Sequence, residues 1–175
     1  MRFRSKVRRE RGQSMVELAL TLPLLVVLLV GLVEVAFIGR TYLVLLEGTR
    51  EGARLGARGA AIFSNDSILT LVEQDLSREG YASDALMDVF IVRAVVGPGQ
   101  VVSDYEATSM RGSGRSPYLS QALLTSRLKA DDPRGRLVGV EIHFDHEPLL
   151  GFPGISDILP DPLALRPYSL MRVQR

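Results

Sequence analysis

From Leu18 to Val33 the chain carries no charged residue, and the run is mostly leucine and valine, with Ala19, Thr21, Pro23 and Gly31 the exceptions. Past Glu34 the apolar character resumes and continues to Gly39. A stretch of about 20 such residues is the length an α-helix needs to cross a bilayer. Arg2, Arg4, Lys6, Arg8, Arg9 and Arg11 stand before it, opposed only by Glu10. A basic block directly before an apolar run orients insertion so that residues 1–12 stay in the cytoplasm and the rest of the chain goes out. A transmembrane segment over about 18–39 is therefore expected. In that reading Glu17 and Glu34 lie near opposite edges of the hydrocarbon, where a carboxylate costs less than at the centre.

The remaining composition narrows the chemistry. The 175 residues suffice for an anchor plus one modest domain, 63–175. Twenty-one Lys and Arg against 20 Asp and Glu give no global charge that calls for nucleic acid. Tryptophan is absent and aromatics are few, so a base-stacking surface is not expected. There is no cysteine, hence no disulfide, thiol nucleophile or thiolate metal site.

Glu17 at the start of the run needs a reason. Three processing routes compete. A cleaved secretory signal would want a shorter apolar region and a better small-residue site than the one near Ala36. An uncleaved signal anchor leaves Glu17 unexplained. Cleavage after Gly12 would make Gln13 the new N-terminus and Glu17 the fifth residue of the mature chain. The carboxylate would then lie one helical turn from a newly made amine, on its own chain or a neighbour's, and could offset its charge.

Beyond Arg40 the helical pattern continues, and one long helix over about 13–62 is expected, bent at Pro23. Gly48, Gly52, Gly56 and Ala60 recur every four residues on one face. Arg50, Arg54 and Arg58 form a second stripe, with Glu47 and Glu51 placed for local ion pairs. Each glycine costs roughly 1 kcal/mol in a helix interior. Three at regular spacing therefore point to close packing, against another subunit or against the chain's own C-terminal domain; the competing reading is a solvated helix with incidental glycines.

RGQSMVELALTLPLL at Arg11–Leu25 followed by REGARLGARGA at Arg50–Ala60 resembles the TadE-like family of minor pilins, or pseudopilins, of tight-adherence (Tad) pilus systems. The likeness covers roughly residues 11–61; farther on it is one of layout only. The resemblance implies a pilin-like α+β fold, with the long N-terminal helix packed on a small antiparallel sheet. It implies processing by a prepilin peptidase, with Gly12 before the cut, Gln13 after it and Glu17 as the acidic position. It further implies a structural role in pilus assembly beside other pilin subunits and an assembly platform, in a bacterial or archaeal cytoplasmic membrane. Gln13 is not the aromatic first residue of many major pilins, which leaves N-methylation open.

The outer region reads as follows. Ser64–Ser67 offers N-caps for a helix over ILTLVEQDLSRE that stops at Gly80. Asp88–Val96 is a strand rich in β-branched residues, and Val101–Tyr105 a short second one. Residues 106–117 read as a polar loop, and 118–129 as a short helix. Leu137–Glu147 is the clearest strand, 149–162 a proline- and glycine-rich loop, and Tyr168–Val173 a closing strand.

HFDHE at His143–Glu147 is the best chemical candidate. On a strand His143, Asp145 and Glu147 share a polar face, with Phe144 and His146 on the other. Metal ligation by the first three, or hydrolysis through His143 and Asp145, would make the chain a tethered enzyme. An exposed polar strand face is the commoner meaning of that pattern, and no serine sits in a nucleophile elbow. Gly112-Ser113-Gly114-Arg115 lacks the lysine of a phosphate-binding loop. No catalytic residue, metal or cofactor is therefore expected. The readings carried forward are a processed pseudopilin and, as the alternative, an uncleaved membrane-tethered binding module that holds a partner through Arg111–Arg115 or the C-terminal region.

Overall fold

The computed structural model describes residues 6–58, 64–81, 87–110, 114–127, 135–147 and 162–173, with side chains from Gly12 onward except those of Met87 and Gln100. Ala60, most of the 149–162 loop and residues 111–113 lie outside them. Helix α1 runs from Lys6 to Ala57 without a break at Pro23. Its 52 residues extend roughly 78 Å at ~1.5 Å each. The Arg58 N–H donates to the Leu55 carbonyl in a turn after it, and residues 59–62 of the expected helix lie outside the described residues. It is one helix long and apolar enough to cross a membrane.

Helix α2 (Asn65–Arg78) starts where its cap residues predict: the Ser64 hydroxyl accepts the Ser67 N–H at 3.2 Å. Ile68, Val72 and Leu76 form its buried stripe, and Gly80 ends the segment at φ +86°, where a side chain would be strained. Four strands follow the expected plan in outline: β1 (Met87–Val96), β2 (Val102–Ser109), β3 (Gly135–His146) and, after β4 (Leu163–Leu165), β5 (Tyr168–Arg172). Between β2 and β3 lies helix α3 (Gln121–Arg127). All pairings are antiparallel, in the order β2-β1-β3-β4, with β5 also paired to β3. The fold is α+β, a long helix laid on a small antiparallel sheet.

Two elements differ from the sequence reading. Residues 106–109 are strand, because β2 continues past a bulge opposite Arg93–Val95 instead of opening into a loop. A bulge inserts an extra residue and restarts pairing, which the weak strand pattern of EATS does not announce. The short strand β4 also falls in a stretch with no strand signal of its own and is held by pairing with Phe144–His146.

The sheet lies on α1 through the glycine stripe. A Cβ built on Gly48 would meet Leu76 and Ile142 at ordinary contact distances of 3.5 and 3.6 Å. On Gly52 it would come within 2.8 Å of Val72, and on Gly56 within 2.5 Å of Val138. The stripe therefore touches α2 and β3 of its own chain, and Leu45, Ala53, Val140 and Ile142 share the core beneath it. On the exposed side of α1, Glu51 accepts two hydrogen bonds from Arg54, at 2.6 and 2.8 Å. Those bonds hold the Glu51 carboxyl below its usual pKa, against the opposing effect of burial.

Alanine substitutions separate tight from loose positions. Gly56→Ala should cost about 1–3 kcal/mol through overpacking against Val138, while Gly48→Ala should be neutral or gain up to ~1 kcal/mol in helix propensity. Denaturant midpoints of the full chain in detergent check both. The Glu51–Arg54 pair should matter little. A lowered carboxyl pKa stabilises above the unfolded value and loses that contribution as pH falls through the folded one. For a surface pair this is a few tenths of a kcal/mol. Wild type and Arg54→Ala should therefore differ slightly at pH 7 and converge in acid unfolding curves below pH ~4.

Candidate functional site: the anchor helix and its junction with the sheet

Helix α1 divides sharply along its length. Every side chain from Gly12 to Leu29 is exposed. In that bare half, the Gln13 side-chain amide donates to Glu17 Oε1 at 3.1 Å, one helical turn apart. Thr21 bonds back to the Glu17 carbonyl at 2.9 Å. Gly12, Gln13 and Glu17 thus lie together on uncovered helix, and nothing from the sheet reaches them. Gly31 and Gly39 are likewise clear of neighbours.

Glu34 is only 2% exposed, beneath the folded domain. His146 at the end of β3 faces it, with 3.7 Å between Nε2 and Glu34 Oε1. From there the covered face climbs α1 through Thr41, Leu45, Gly48, Gly52 and Gly56. The Thr41 hydroxyl meets the Tyr81 hydroxyl at 3.0 Å. The domain therefore begins about one helical turn below the Gly39 end of the expected span. Gln13–Val33 leaves roughly 30 Å of helix before the first covered residue, at ~1.5 Å per residue. That matches a hydrocarbon core.

The HFDHE strand also needs correction. Its faces alternate as expected, but the face holding His143 and Asp145 is not exposed. Glu141 is 0% and His143 1% exposed, because residues 115–127 strap across it. Leu119 packs on Gly139, where a Cβ would come within 2.8 Å of it. Leu119 and Leu124 join Val92, Ala94 and Leu137 in a second apolar cluster. The strap is pinned by Glu141, whose carboxylate accepts the Tyr118 N–H at 2.8 Å and the Leu119 N–H at 2.9 Å. His143 Nε2 also bonds Glu141, and its ring packs tilted against Phe90, 4.7 Å between centroids. Asp145 pairs with Arg115 of the strap, and Asp88 accepts from the Ser109 hydroxyl. The Tyr105 hydroxyl donates to the Leu119 carbonyl, and burial together with the Glu141 charge raises its pKa.

These groups are a structural clamp, not an open cleft. No cluster of three or more His, Asp or Glu able to hold a metal occurs among the described residues. Sequence reasoning missed Glu141, whose alternation with Val140 and Ile142 looked like a solvated strand. The available signal was the apolar pair Leu119 and Leu124, which needed a surface to cover.

With that geometry in place, comparison with known families is informative. Residues 12–54 match the TadE-like protein family. The match takes in all of the bare helix and the covered face as far as Gly52, and it stops before Gly56 and the whole sheet. It supports a general association with Tad pili, as a minor pilin, and fits single-pass anchoring by α1. No curated protein and no solved structure matches the chain.

The Glu141 clamp makes a direct prediction. Glu141→Ala leaves the buried Leu119 N–H and the partly buried Tyr118 N–H without their acceptor and should cost about 2 kcal/mol. Limited proteolysis within 114–127 should accelerate more than global unfolding does, since the loss loosens the strap first.

Proposed function

We propose that this chain is a TadE-like pseudopilin, processed after Gly12 and acting structurally in assembly of a Tad-type adhesive pilus. The observation that carries the reading is the division of α1. The family match coincides with a helix that is bare over a bilayer's length and then sheathed by its own domain. Its N-terminal end holds Gln13 and Glu17 in hydrogen-bonding contact. After cleavage, the new α-amine belongs to Gln13, one turn from a carboxylate on uncovered helix. Inside a membrane such a carboxylate is costly unless it meets a positive charge. The amine of its own or an adjacent subunit supplies one.

The role is structural rather than enzymatic. Glu141, His143 and Asp145 are committed to the clamp that holds the strap. Partners in this reading are a prepilin peptidase, other pilin or pseudopilin subunits and the assembly platform. Residues 1–12 face the cytoplasm and the sheet domain stands outside the cytoplasmic membrane.

N-terminal sequencing and intact mass of the protein from its native membrane test the processing directly. A chain beginning at Gln13 is expected; one beginning at Met1 beside a working peptidase would favour the uncleaved tether. Glu17→Ala distinguishes the same two readings by a second route. A pseudopilin should lose assembly into pili, while a simple tether should insert slightly better. His143→Ala should lower stability without abolishing any activity of the intact system beyond that loss.

A further inference from the structure

In the processed reading, on which this step rests, the mature chain begins with glutamine. An N-terminal glutamine can modify itself. Its α-amine attacks the side-chain amide carbon: a bond forms between the α-nitrogen and Cδ, the Cδ–Nε2 bond breaks, and one amine proton leaves with Nε2 as ammonia. The product is a five-membered lactam whose nitrogen carries no charge, and no co-reactant is needed. α-Amines ordinarily titrate near pH ~8, so part of the population is neutral and nucleophilic at neutral pH.

Closure would be costly in this chain. Glu17 lies one helical turn on, at the start of the apolar run, where a carboxylate needs a positive partner. The lactam removes the cation that cleavage has just created.

The structure places an opposing contact at this point. The Gln13 amide Nε2 donates to Glu17 Oε1 at 3.1 Å. Both residues belong to the continuous helix α1, which keeps side chains four apart adjacent. The bond opposes closure in two ways. It draws the amide toward the next turn, about 6 Å farther along the axis at ~1.5 Å per residue, whereas closure needs Cδ folded back over Gln13's own nitrogen. An amide that donates its N–H to an anion is also more fully conjugated, and its carbonyl carbon is a poorer electrophile.

We infer that Glu17 is a positioning residue for the mature N-terminus: it holds the Gln13 amide off its own α-amine and so blocks loss of ammonia and lactam closure. The carboxylate thereby preserves the cation that offsets it. The hydrogen bond, which a neutral acceptor can also make, is separable from the charge.

The test follows the mature chain, Gln13–Arg175, in lipid nanodiscs. Wild type, Glu17→Ala and Glu17→Gln are each released in detergent from an N-terminal fusion by a protease that cuts directly before Gln13, so no variant depends on the prepilin peptidase. Tandem mass spectrometry of the N-terminal peptide, over several days at neutral pH, reads the mass lost with one ammonia and separates it from ammonia lost elsewhere in the chain. Glu17→Ala should close at least ~3-fold faster than wild type, as expected when a hydrogen bond to a charged group is lost. Alanine favours the helix, so fraying does not account for such a gain. Glu17→Gln keeps an acceptor without the charge and should close roughly twofold or more slower than Glu17→Ala. Equal rates for wild type and Glu17→Ala would overturn the inference. So would Glu17→Gln closing as fast as Glu17→Ala, which would place the protection in the charge alone. Protein from the native membrane reads the processing separately. A chain starting at Met1 there defeats the pseudopilin reading while the nanodisc rates still decide the role of Glu17; wild type starting at Gln13 as the lactam would overturn that role.

Discussion

The close approach of β3 to helix α1 at Gly52 and Gly56 governs the rest of the molecule. With the methyl groups of Val72 and Val138 within 3 Å of where a Cβ would stand, no other residue type lets the sheet sit this near the helix axis without displacing it. That contact places Val140 and Ile142 in the core and fixes the direction of β3 along α1. Direction in turn brings His146 down onto Glu34 and decides where sheathed helix ends and bare helix begins. The helix-propensity cost of the glycines is thereby offset by burial of valine, leucine and isoleucine side chains, each worth about 1.5–3 kcal/mol when fully removed from water.

The second face of the sheet follows a different logic. There a carboxylate, not an apolar stripe, does the positioning. Glu141 spends its lone pairs on two strap amides and on His143, and the apolar contacts of Leu119 and Leu124 close over it. Buried charge is tolerated when it is hydrogen-bonded this fully, and breaking one side of such a set costs more than the set contributes. A polar motif that suggests chemistry in the sequence is thus used to hold a covering segment in place.

How much of this could be read in advance depends on range. The apolar run, the basic block and the glycine period are local patterns, and they located α1. The cap at Ser64, the stop at Gly80 and the alternation in β3 are equally local. The bulge in β2, the strand β4 and the burial of Glu141 and His143 are not. Each arises because a distant segment supplies a partner: β1 for the bulge, β3 for β4, and the 115–127 strap for Glu141. A polar–apolar alternation reports which residues share a face, and says nothing about whether that face is later covered.

The sequence by itself determined that one helix would be long and apolar enough for a membrane, that a carboxylate would ride near its start, and that small residues would line one side farther along. Those are consequences of the 3.6-residue period acting on neighbours in the chain. Only the tertiary structure decided that the small residues meet the chain's own sheet and α2, and that Glu34 lies under the domain facing His146. These depend on which segments fold over which, and that choice is made by contacts between residues tens of positions apart, where no local period carries the information.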